Sequence, residues 1–481
     1  MTTSIKRREF LQLTAAATAF GLAGPNLVTL AASPAPATTK LVSAGCRRSK
    51  VKVARLYMGF SGAHWPTPKL NLQEEVRSYQ PAFDALKDEL ADVDFFVDQV
   101  VSSPQQVRAL AEQLKTADGI LVIQVTIGVS SILAEILKAA RPTIVFAIPY
   151  SGHEWAGYGQ LQKRPEGELF DAILTTDRKQ LAAAIRPFRA IHHLREAKVL
   201  DVTTRLPGQY AKEVKAKFGT EIKQVGLQAV VDAYNAVSDA DAQAETDRWL
   251  QGAVKLVEPS KENVFKACKQ ALAFERMLAQ EDATVLTVDC YGSMWDKTIK
   301  LPAYPCLGFS RLNSIGLGGI CESDLRSAMT HIIFQGLAGK PGFISDPTMD
   351  ESQNAIVLAH CMGTVNMQGP GKPPSRYKIR TVMERQEGVV PQVFMPIGPR
   401  VTQATLVGMD TLLYFTGEVI DAPDVDRGCR TKITVKVDGS AEKLWKNWTA
   451  GLHRSTCYGD IAKDLERWCR FMKIKMVNEA V

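Results

Sequence analysis

Continuous apolar segments alternate with amphipathic ones from residue 51 onwards, and this alternation constrains the fold more than any other feature. Residues 51–60 and 119–125 are apolar at most positions, as expected of strands whose two faces are both buried. Residues 70–90 and 104–115 instead have the spacing of amphipathic helices. Because buried strands joined by helices form parallel sheets, we expect an α/β domain over residues 49–168.

The same alternation continues to about residue 301 and then changes. Residues 172–176, 197–203 and 284–290 have strand patterns separated by helical ones, which predicts a second α/β domain over residues 169–301. From residue 302, glycine- and proline-rich loops separate β-type segments. The predicted fold class is α/β, with two Rossmann-like parallel-sheet domains followed by a mostly-β C-terminal domain over residues 302–481.

Neither α/β region carries a nucleotide-binding motif. No GxGxxG leads from a strand into a helix, and no P-loop is present. The net charge of +7 is not concentrated in an arginine- or lysine-rich tract. Nucleic acid is therefore excluded as an expected partner.

The N-terminus has the pattern of a targeting segment. Arg7 and Arg8 precede a mild apolar stretch, which predicts a twin-arginine signal peptide over residues 1–32 and a linker over residues 33–48. A membrane anchor is the alternative, but Pro25 interrupts an apolar stretch already short for a bilayer. We expect export to the periplasm or secretion, with no stable membrane anchor afterwards.

Nine cysteines are scattered through the chain without CxxC or CxxH spacing. A secreted disulfide framework would have denser and more regular spacing. Most of the cysteines are predicted to be small buried apolar residues, and one or two disulfides remain open.

Four residues of the C-terminal region suggest a metal site. A glycine-dense stretch leads to Glu322, and Asp346, His360 and His453 follow. Carboxylates with imidazole suit a hard divalent cation, Mn²⁺ or alternatively Mg²⁺ or Co²⁺, better than thiolate-bound zinc. Each residue alone also has a structural explanation: a helix N-terminal charge, a turn former before proline, or a core histidine.

Taken together, these motifs resemble the L-fucose/L-arabinose isomerase family. The resemblance is carried by residues 308–325, by 339–341 leading to Asp346, by 359–361, and by His453 before 459–460. It implies that Glu322 and Asp346 form the catalytic acid/base pair and bind the metal with His453. His360 matches an additional metal ligand of arabinose-type members. The resemblance also implies a homo-oligomer, a trimer or a hexamer.

The loops after the first strands contain candidate sugar-binding residues. His64 with Trp65 and His153 with Trp155 combine ring faces for stacking with polar groups for hydroxyls. The same tryptophans could equally be packing residues. Arg311, in the stretch that precedes Glu322, is a further candidate for substrate binding.

The predicted function is a metal-dependent aldose–ketose isomerase acting on an unphosphorylated pentose or deoxyhexose. A divalent ion stabilises the charge of an enediolate, and two carboxylates move the proton between neighbouring carbons. Two alternatives stay open from the sequence. One is a non-catalytic, metal-assisted sugar-binding protein of the periplasm, and the other is an epimerase or lyase using the same enediolate.

Overall fold

The computed structural model describes residues 40–206 and 208–481. The predicted signal peptide and the first part of the predicted linker lie outside the described residues. Of the helices described, none is both long and apolar enough to cross a membrane.

The first sheet is parallel throughout. Its strands are β1 (Val51–Met58), β2 (Val93–Val101), β3 (Gly119–Gln124), β4 (Thr143–Ala147) and β5 (Phe170–Leu174). They lie in the order β2-β1-β3-β4-β5. Every residue of β3 and β4 is buried, which explains their unbroken apolar sequences. The predicted parallel sheet is confirmed.

Six short helices cover this sheet. They are α1 (Leu72–Arg77), α2 (Gln80–Ala85), α3 (Pro104–Ala109), α4 (Ala111–Leu114), α5 (Ser130–Leu137) and α6 (Trp155–Leu161). The helices predicted over residues 70–90 and 104–115 are each divided in two. Pro81 lies in the first turn of α2, where its missing N–H costs nothing. In one continuous helix its ring would clash with the preceding turn, so the chain starts a new helix there.

The second sheet is also parallel. The next strands along the chain are β6 (Lys198–Val202), β7 (Glu221–Val225), β8 (Lys255–Leu256), β9 (Val285–Val288) and β10 (Gly318–Cys321). Four of them form a sheet in the order β10-β9-β6-β7. Because β10 pairs with β9, this sheet includes residues beyond the expected boundary at residue 301.

Eight further helices lie between residues 180 and 338, and the first of them also packs against the first sheet. They are α7 (Gln180–Glu196), α8 (Gln209–Phe218), α9 (Leu227–Asn235), α10 (Asp239–Gly252), α11 (Lys261–Gln280), α12 (Cys290–Met294), α13 (Cys306–Ser314) and α14 (Leu325–Ala338). The last of these begins directly after the loop that carries Glu322, so the packing of α14 bears on the position of that loop.

The C-terminal region is mostly β, as predicted. Its elements are β11 (Phe343–Asp350), β12 (Ala355–His360), β13 (Tyr377–Arg380), β14 (Val390–Val393), β15 (Arg400–Val407), β16 (Thr411–Asp421), β17 (Thr431–Val437), α15 (Ala441–Lys446), β18 (Arg454–Tyr458), α16 (Ala462–Met472) and β19 (Lys475–Asn478). Strands β15 and β16 form a hairpin, and Gly408 adopts a left-handed turn conformation between them.

Six of these strands close into an antiparallel barrel. Their order is β15-β18-β11-β12-β17-β16, and the pairing of β16 with β15 completes the circle. Strand β19 adds to β16 in parallel, while β13 and β14 form a separate small sheet with β8. Closure leaves no free edge along the six strands that would need protection.

Residues 42–49 belong to the fold rather than to a flexible linker. The Gly45 N–H donates to the Gly316 carbonyl at 2.7 Å, and Cys46 is buried. The Ser49 N–H donates to the Glu196 carboxylate at 3.2 Å. This is a correction to the linker predicted over residues 33–48, at least for its C-terminal part. The short apolar residues there supply packing that a purely polar linker lacks.

Helix α14 packs against α7 at very close range. A Cβ at Gly336 would lie 2.4 Å from the Cα of Ala190, so only glycine permits this approach. Ile332 and Ile333 of α14 share one hydrophobic cluster with Leu406 of the barrel. The helix is therefore held between the second sheet's helices and the barrel.

We expect Gly336→Ala to destabilise the protein, because its methyl group has no space and the two helices must separate. Overpacking of this kind costs on the order of 1–3 kcal/mol. The free energy of unfolding from a denaturant titration measures it. Gly157→Ala is the matched control, since a Cβ there meets nothing within 4 Å and alanine favours helices. Equal stability of the two variants would contradict the close approach.

A buried ion pair joins α7 to the first sheet. The ring Nδ1 of His192 lies 2.9 Å from Asp118 Oδ2, and Arg195 also contacts this carboxylate. Burial alone would raise the pKa of Asp118, but His192 and Arg195 outweigh it and hold the value at about 2. Burial alone would lower the pKa of His192, but Asp118 raises it to about 10.

These shifts predict how Asp118→Asn depends on pH. The lowered pKa of Asp118 gives stability that is present above about pH 4 and is lost as pH falls towards 2. The raised pKa of His192 gives stability that is present below about pH 6.5 and is lost as pH rises through 10. The variant should lose about 2 kcal/mol, most between pH 4 and 6.5. Urea unfolding across pH tests this, and a difference independent of pH would contradict it.

Candidate active site

Glu322 lies at the carboxyl end of the second sheet, directly after β10. Ligands of parallel α/β sheets bind at this edge. Glu322 and the following Ser323 have φ values of 64° and 51°, a left-handed conformation that is uncommon for residues other than glycine. Such strain persists only where surrounding contacts impose it, and it is concentrated at functional sites.

Contacts on both sides fix this strained loop. The Ser323 N–H donates to the Val288 carbonyl at 3.0 Å, and the Ser323 hydroxyl donates to Asp201 at 2.6 Å. Asp324 is the N-cap of α14 and accepts from the N–H groups of Arg326 and Ser327. The loop is therefore tied to the sheet at one end and to the helix at the other.

The barrel supplies the other three predicted residues, and strand register brings them together. Asp346 of β11 pairs with Ala359 of β12, the residue before His360. On its other side β11 pairs with β18, and Ser345 lies opposite Arg454, the residue after His453. Continuing the second register by one residue places His453 opposite Asp346, while His360 follows Ala359 and lies one residue along from Asp346.

All four predicted metal ligands meet in space. The His453 Nε2 lies 3.0 Å from Asp346 Oδ1 and 3.7 Å from Glu322 Oε2. Ligand atoms of Glu322, His360 and His453 all lie within 4.8 Å of one another. Two oxygen ligands on opposite sides of a divalent ion are roughly 4–5 Å apart, so these spacings suit a shared ion.

Negative charge dominates this cluster. Burial raises the pKa of Glu322, against the opposing influence of His453 and His360. Burial alone would lower the pKa of His453, but Asp324, Asp346 and Glu322 raise it to about 10. Three carboxylates around one imidazole therefore favour a cation at this position.

One carboxylate oxygen gives a direct test of whether a metal fits. Asp346 Oδ1 is buried and accepts no hydrogen bond within the described residues. Its 3.0 Å contact with His453 lacks hydrogen-bond geometry. An unsatisfied buried carboxylate oxygen is costly, and coordination of a cation would satisfy it. The residues present thus fit a hard divalent ion, held by Glu322, Asp346 and His453.

A cavity of about 500 Å³ opens beside the cluster. This volume is in the range of small-molecule sites. The walls are formed by Tyr210, Glu322, Ser323, Asp324, Leu325, Arg326, Leu452 and His453.

The sequence analysis did not identify several residues that lie near the cluster. Tyr291 follows β9, and the negative charge of Glu322 raises its pKa, which places its ring near the cluster. Its position after a strand of the parallel sheet could have identified it. Asp324 is both the N-cap of α14 and a neighbour of His453. No sequence signal distinguishes Tyr210 or Arg326.

The predicted sugar-binding loops form a separate group at the first sheet. The rings of Trp65 and His153 pack 4.9 Å apart, while His64 and Trp155 are exposed. In the described part of the chain, none of these four residues lines the cavity beside Glu322. Their predicted role in sugar binding therefore stays a prediction.

Arg311 occupies a different place from the one predicted for it. Its guanidinium is buried and donates to Glu275 at 2.6 Å and to Glu245 at 3.0 Å. These two carboxylates use the donors that a substrate would need. The structure thus gives Arg311 a role in the core rather than in substrate binding, because α13 turns its side chain towards α10 and α11.

Comparison with known proteins gives one similarity. No family model matches the chain. The chain is 28% identical over 183 residues to a sulfoquinovose isomerase from Clostridium sp. (strain MSTE9). That relative is a sugar isomerase. The match covers 33% of this chain and 37% of the relative, so this chain spans well under half of the relative's length. The similarity supports a sugar isomerase in general and does not single out the L-fucose/L-arabinose type.

Asp324 provides a test of the metal site, because its Oδ2 lies 3.6 Å from His453 Nδ1. Carboxylates in this position orient a metal-binding histidine, and losing one costs about 10–100-fold in metal affinity. We expect Asp324→Asn to lower Mn²⁺ affinity by this factor, measured by calorimetry. The helix should remain stable, since asparagine caps as well as aspartate. His64→Ala is the control and should bind Mn²⁺ normally. Unchanged affinity in Asp324→Asn would remove Asp324 from the site.

Proposed function

We propose that this protein is a metal-dependent sugar isomerase that interconverts an aldose and a ketose. The observation that carries the proposal is the meeting of Glu322, Asp346 and His453 at the carboxyl end of the second sheet, with one Asp346 oxygen left unsatisfied. The similarity to a sulfoquinovose isomerase supports the same reaction class. The ion, Mn²⁺ or another hard divalent cation, supplies charge stabilisation for the two sugar oxygens when bound.

We infer that the two carboxylates act as an acid/base pair. Burial raises the pKa of Glu322, so its carboxylate is a stronger base than a solvated one. It takes the proton from the sugar carbon next to the carbonyl and returns it to the neighbouring carbon. Asp346, which lies near the same His453 nitrogen as Glu322, handles the hydroxyl proton. The proton lost at one carbon is regained at the next, so the reaction needs no redox partner.

The remaining residues bind and orient the sugar. The ring of Tyr291 is half exposed near the two carboxylates, and Tyr210 and Arg326 line the cavity. Ring faces and donors of this kind suit the hydroxyls and apolar face of a sugar. We propose an unphosphorylated pentose or deoxyhexose as the substrate class.

The N-terminal sequence and the resemblance to L-fucose/L-arabinose isomerases support a proposal about the location and the oligomeric state of the protein. We propose that the chain is exported by the twin-arginine route and acts as a homo-oligomer, a trimer or a hexamer. The loops with His64 and His153 would then complete the site of a neighbouring subunit. A fully active monomer, seen by activity measured together with light scattering, would refute that role.

Glu322→Gln tests the chemistry. Mn²⁺-loaded protein is incubated in D₂O with L-fucose, L-arabinose, D-arabinose and sulfoquinovose, and the C2 proton is followed by NMR. The wild-type protein should exchange this proton for deuterium with one of the sugars. We expect Glu322→Gln to reduce exchange by about 10²–10⁴-fold, the usual contribution of a general base, while sugar affinity changes little.

The matched control is Glu351→Gln, an exposed carboxylate of the barrel that should leave exchange unchanged. Sugar binding without exchange by the wild-type protein would overturn the isomerase and favour a sugar-binding protein. Unchanged exchange in Glu322→Gln would remove Glu322 from the mechanism.

A further inference from the structure

Four buried cysteines converge directly behind the candidate active site. They are Cys290 at the start of α12, Cys306 at the start of α13, Cys321 at the end of β10 and Cys361 after β12. They come from four different segments, which belong to both the second sheet and the barrel. Cys321 is the residue before Glu322, and Cys361 is the residue after His360.

Two of these cysteines and His360 have the spacing of ligands around one ion, and Cys306 contacts one of the two. Cys306 Sγ lies 3.8 Å from Cys361 Sγ, and Cys361 Sγ lies 3.4 Å from His360 Nδ1. Ligand atoms of Cys321, His360 and Cys361 all fall within 4.8 Å of one another. With tetrahedral bonds of about 2.3 Å to sulfur and 2.0–2.1 Å to nitrogen, two sulfurs lie about 3.8 Å apart, and a sulfur and a nitrogen about 3.6 Å.

Simple burial does not account for this arrangement. A free cysteine often serves as a small apolar residue, and Cys457 inside the barrel is an example. A core needs no thiols from four separated segments in contact with one another. It also has no need for an imidazole nitrogen that faces a sulfur. This combination of donors is instead the one that borderline-soft metals select.

We propose that Cys306, Cys321, His360 and Cys361 form a structural site for Zn²⁺, separate from the hard-donor site of Glu322, Asp346 and His453. Cys321, His360 and Cys361 supply three ligands, and Cys306, beside Cys361, would supply the fourth of a tetrahedral structural site. Binding of Zn²⁺ releases the thiol protons, so no redox partner is involved. Cys290 stays a thiol and accepts from the Glu322 N–H at 3.4 Å.

The zinc would connect the two halves of the active site. It ties the end of β10, which carries Glu322, to the end of β12, where the barrel contributes His360. His360 binds through Nδ1, which already faces Cys361. The inference is independent of the proposed isomerase activity, since zinc occupancy requires neither a sugar nor a working acid/base pair.

Metal analysis of the full-length protein, dialysed against a mild chelator, tests the site. We expect one tightly bound zinc per chain in the wild type, and a near-complete loss in Cys361→Ser and Cys321→Ser. Cys457→Ser is the matched control, a buried cysteine outside the cluster, and should keep its zinc. Circular dichroism shows whether each variant is folded. Glu322→Gln should also retain the zinc, whatever its effect on sugar exchange.

A spectroscopic measurement needs no variant. After removal of zinc, added Co²⁺ should give thiolate-to-cobalt charge-transfer absorption in the wild type, because the hard-donor site contains no sulfur. The absence of this absorption together with the absence of zinc would overturn the proposal. A disulfide between Cys306 and Cys361, found by mass spectrometry of unreduced peptides, would also overturn it. If sugar exchange fails while zinc is retained, the isomerase proposal falls and the zinc site stands.

Discussion

The active site depends on the strained connection between β10 and α14. Glu322 and Ser323 keep left-handed backbone conformations because Ser323 is bonded to Asp201 and to the Val288 carbonyl, and because Asp324 caps the helix that follows. Helix α14 in turn is fixed by its close packing on α7, where Gly336 leaves no space for a side chain. The close packing of α14 on α7 thus maintains the strained backbone of the loop. This strained backbone holds the Glu322 carboxylate at the edge of the second sheet.

The barrel places a second set of residues, Asp346, His360 and His453, close to this carboxylate. Register along β11 places Asp346 opposite Ala359 of β12, the residue before His360, and next to β18, the strand that His453 precedes. The resulting cluster holds more negative than positive charge and leaves one Asp346 oxygen unsatisfied. Without a cation, such an arrangement disfavours the folded state, because partly buried carboxylates repel one another. A bound cation would offset this cost, and metal binding would then stabilise the contact between the second sheet and the barrel.

The sequence predicted what local patterns encode. Strands buried on both faces, such as β3 and β4, are apolar at every position or nearly so, and both parallel sheets could be predicted from this. The cluster of Glu322, Asp346, His360 and His453 was indicated by a resemblance to known motifs and not by spacing alone. The partners of Arg311 could not be predicted, because Glu245 and Glu275 lie on other helices. Membership of β10 in the second sheet and closure of the barrel by β15 and β16 are also long-range pairings, which local patterns do not contain.

The cysteines also could not be placed from local sequence patterns. Their spacing gave no CxxC or CxxH motif, so they were interpreted as apolar residues, yet four of them meet in space with a histidine. His360 lies between two chemically different sets of donors, the sulfur atoms of Cys321 and Cys361 and the carboxylate of Glu322. An imidazole has two nitrogens, and Nδ1 already faces a thiol. In the proposed assignment this nitrogen serves the zinc site, and Glu322, Asp346 and His453 form the separate hard-donor set. Such a separation of hard from soft donors would let one small region discriminate between two ions that a mixed set of ligands would confuse.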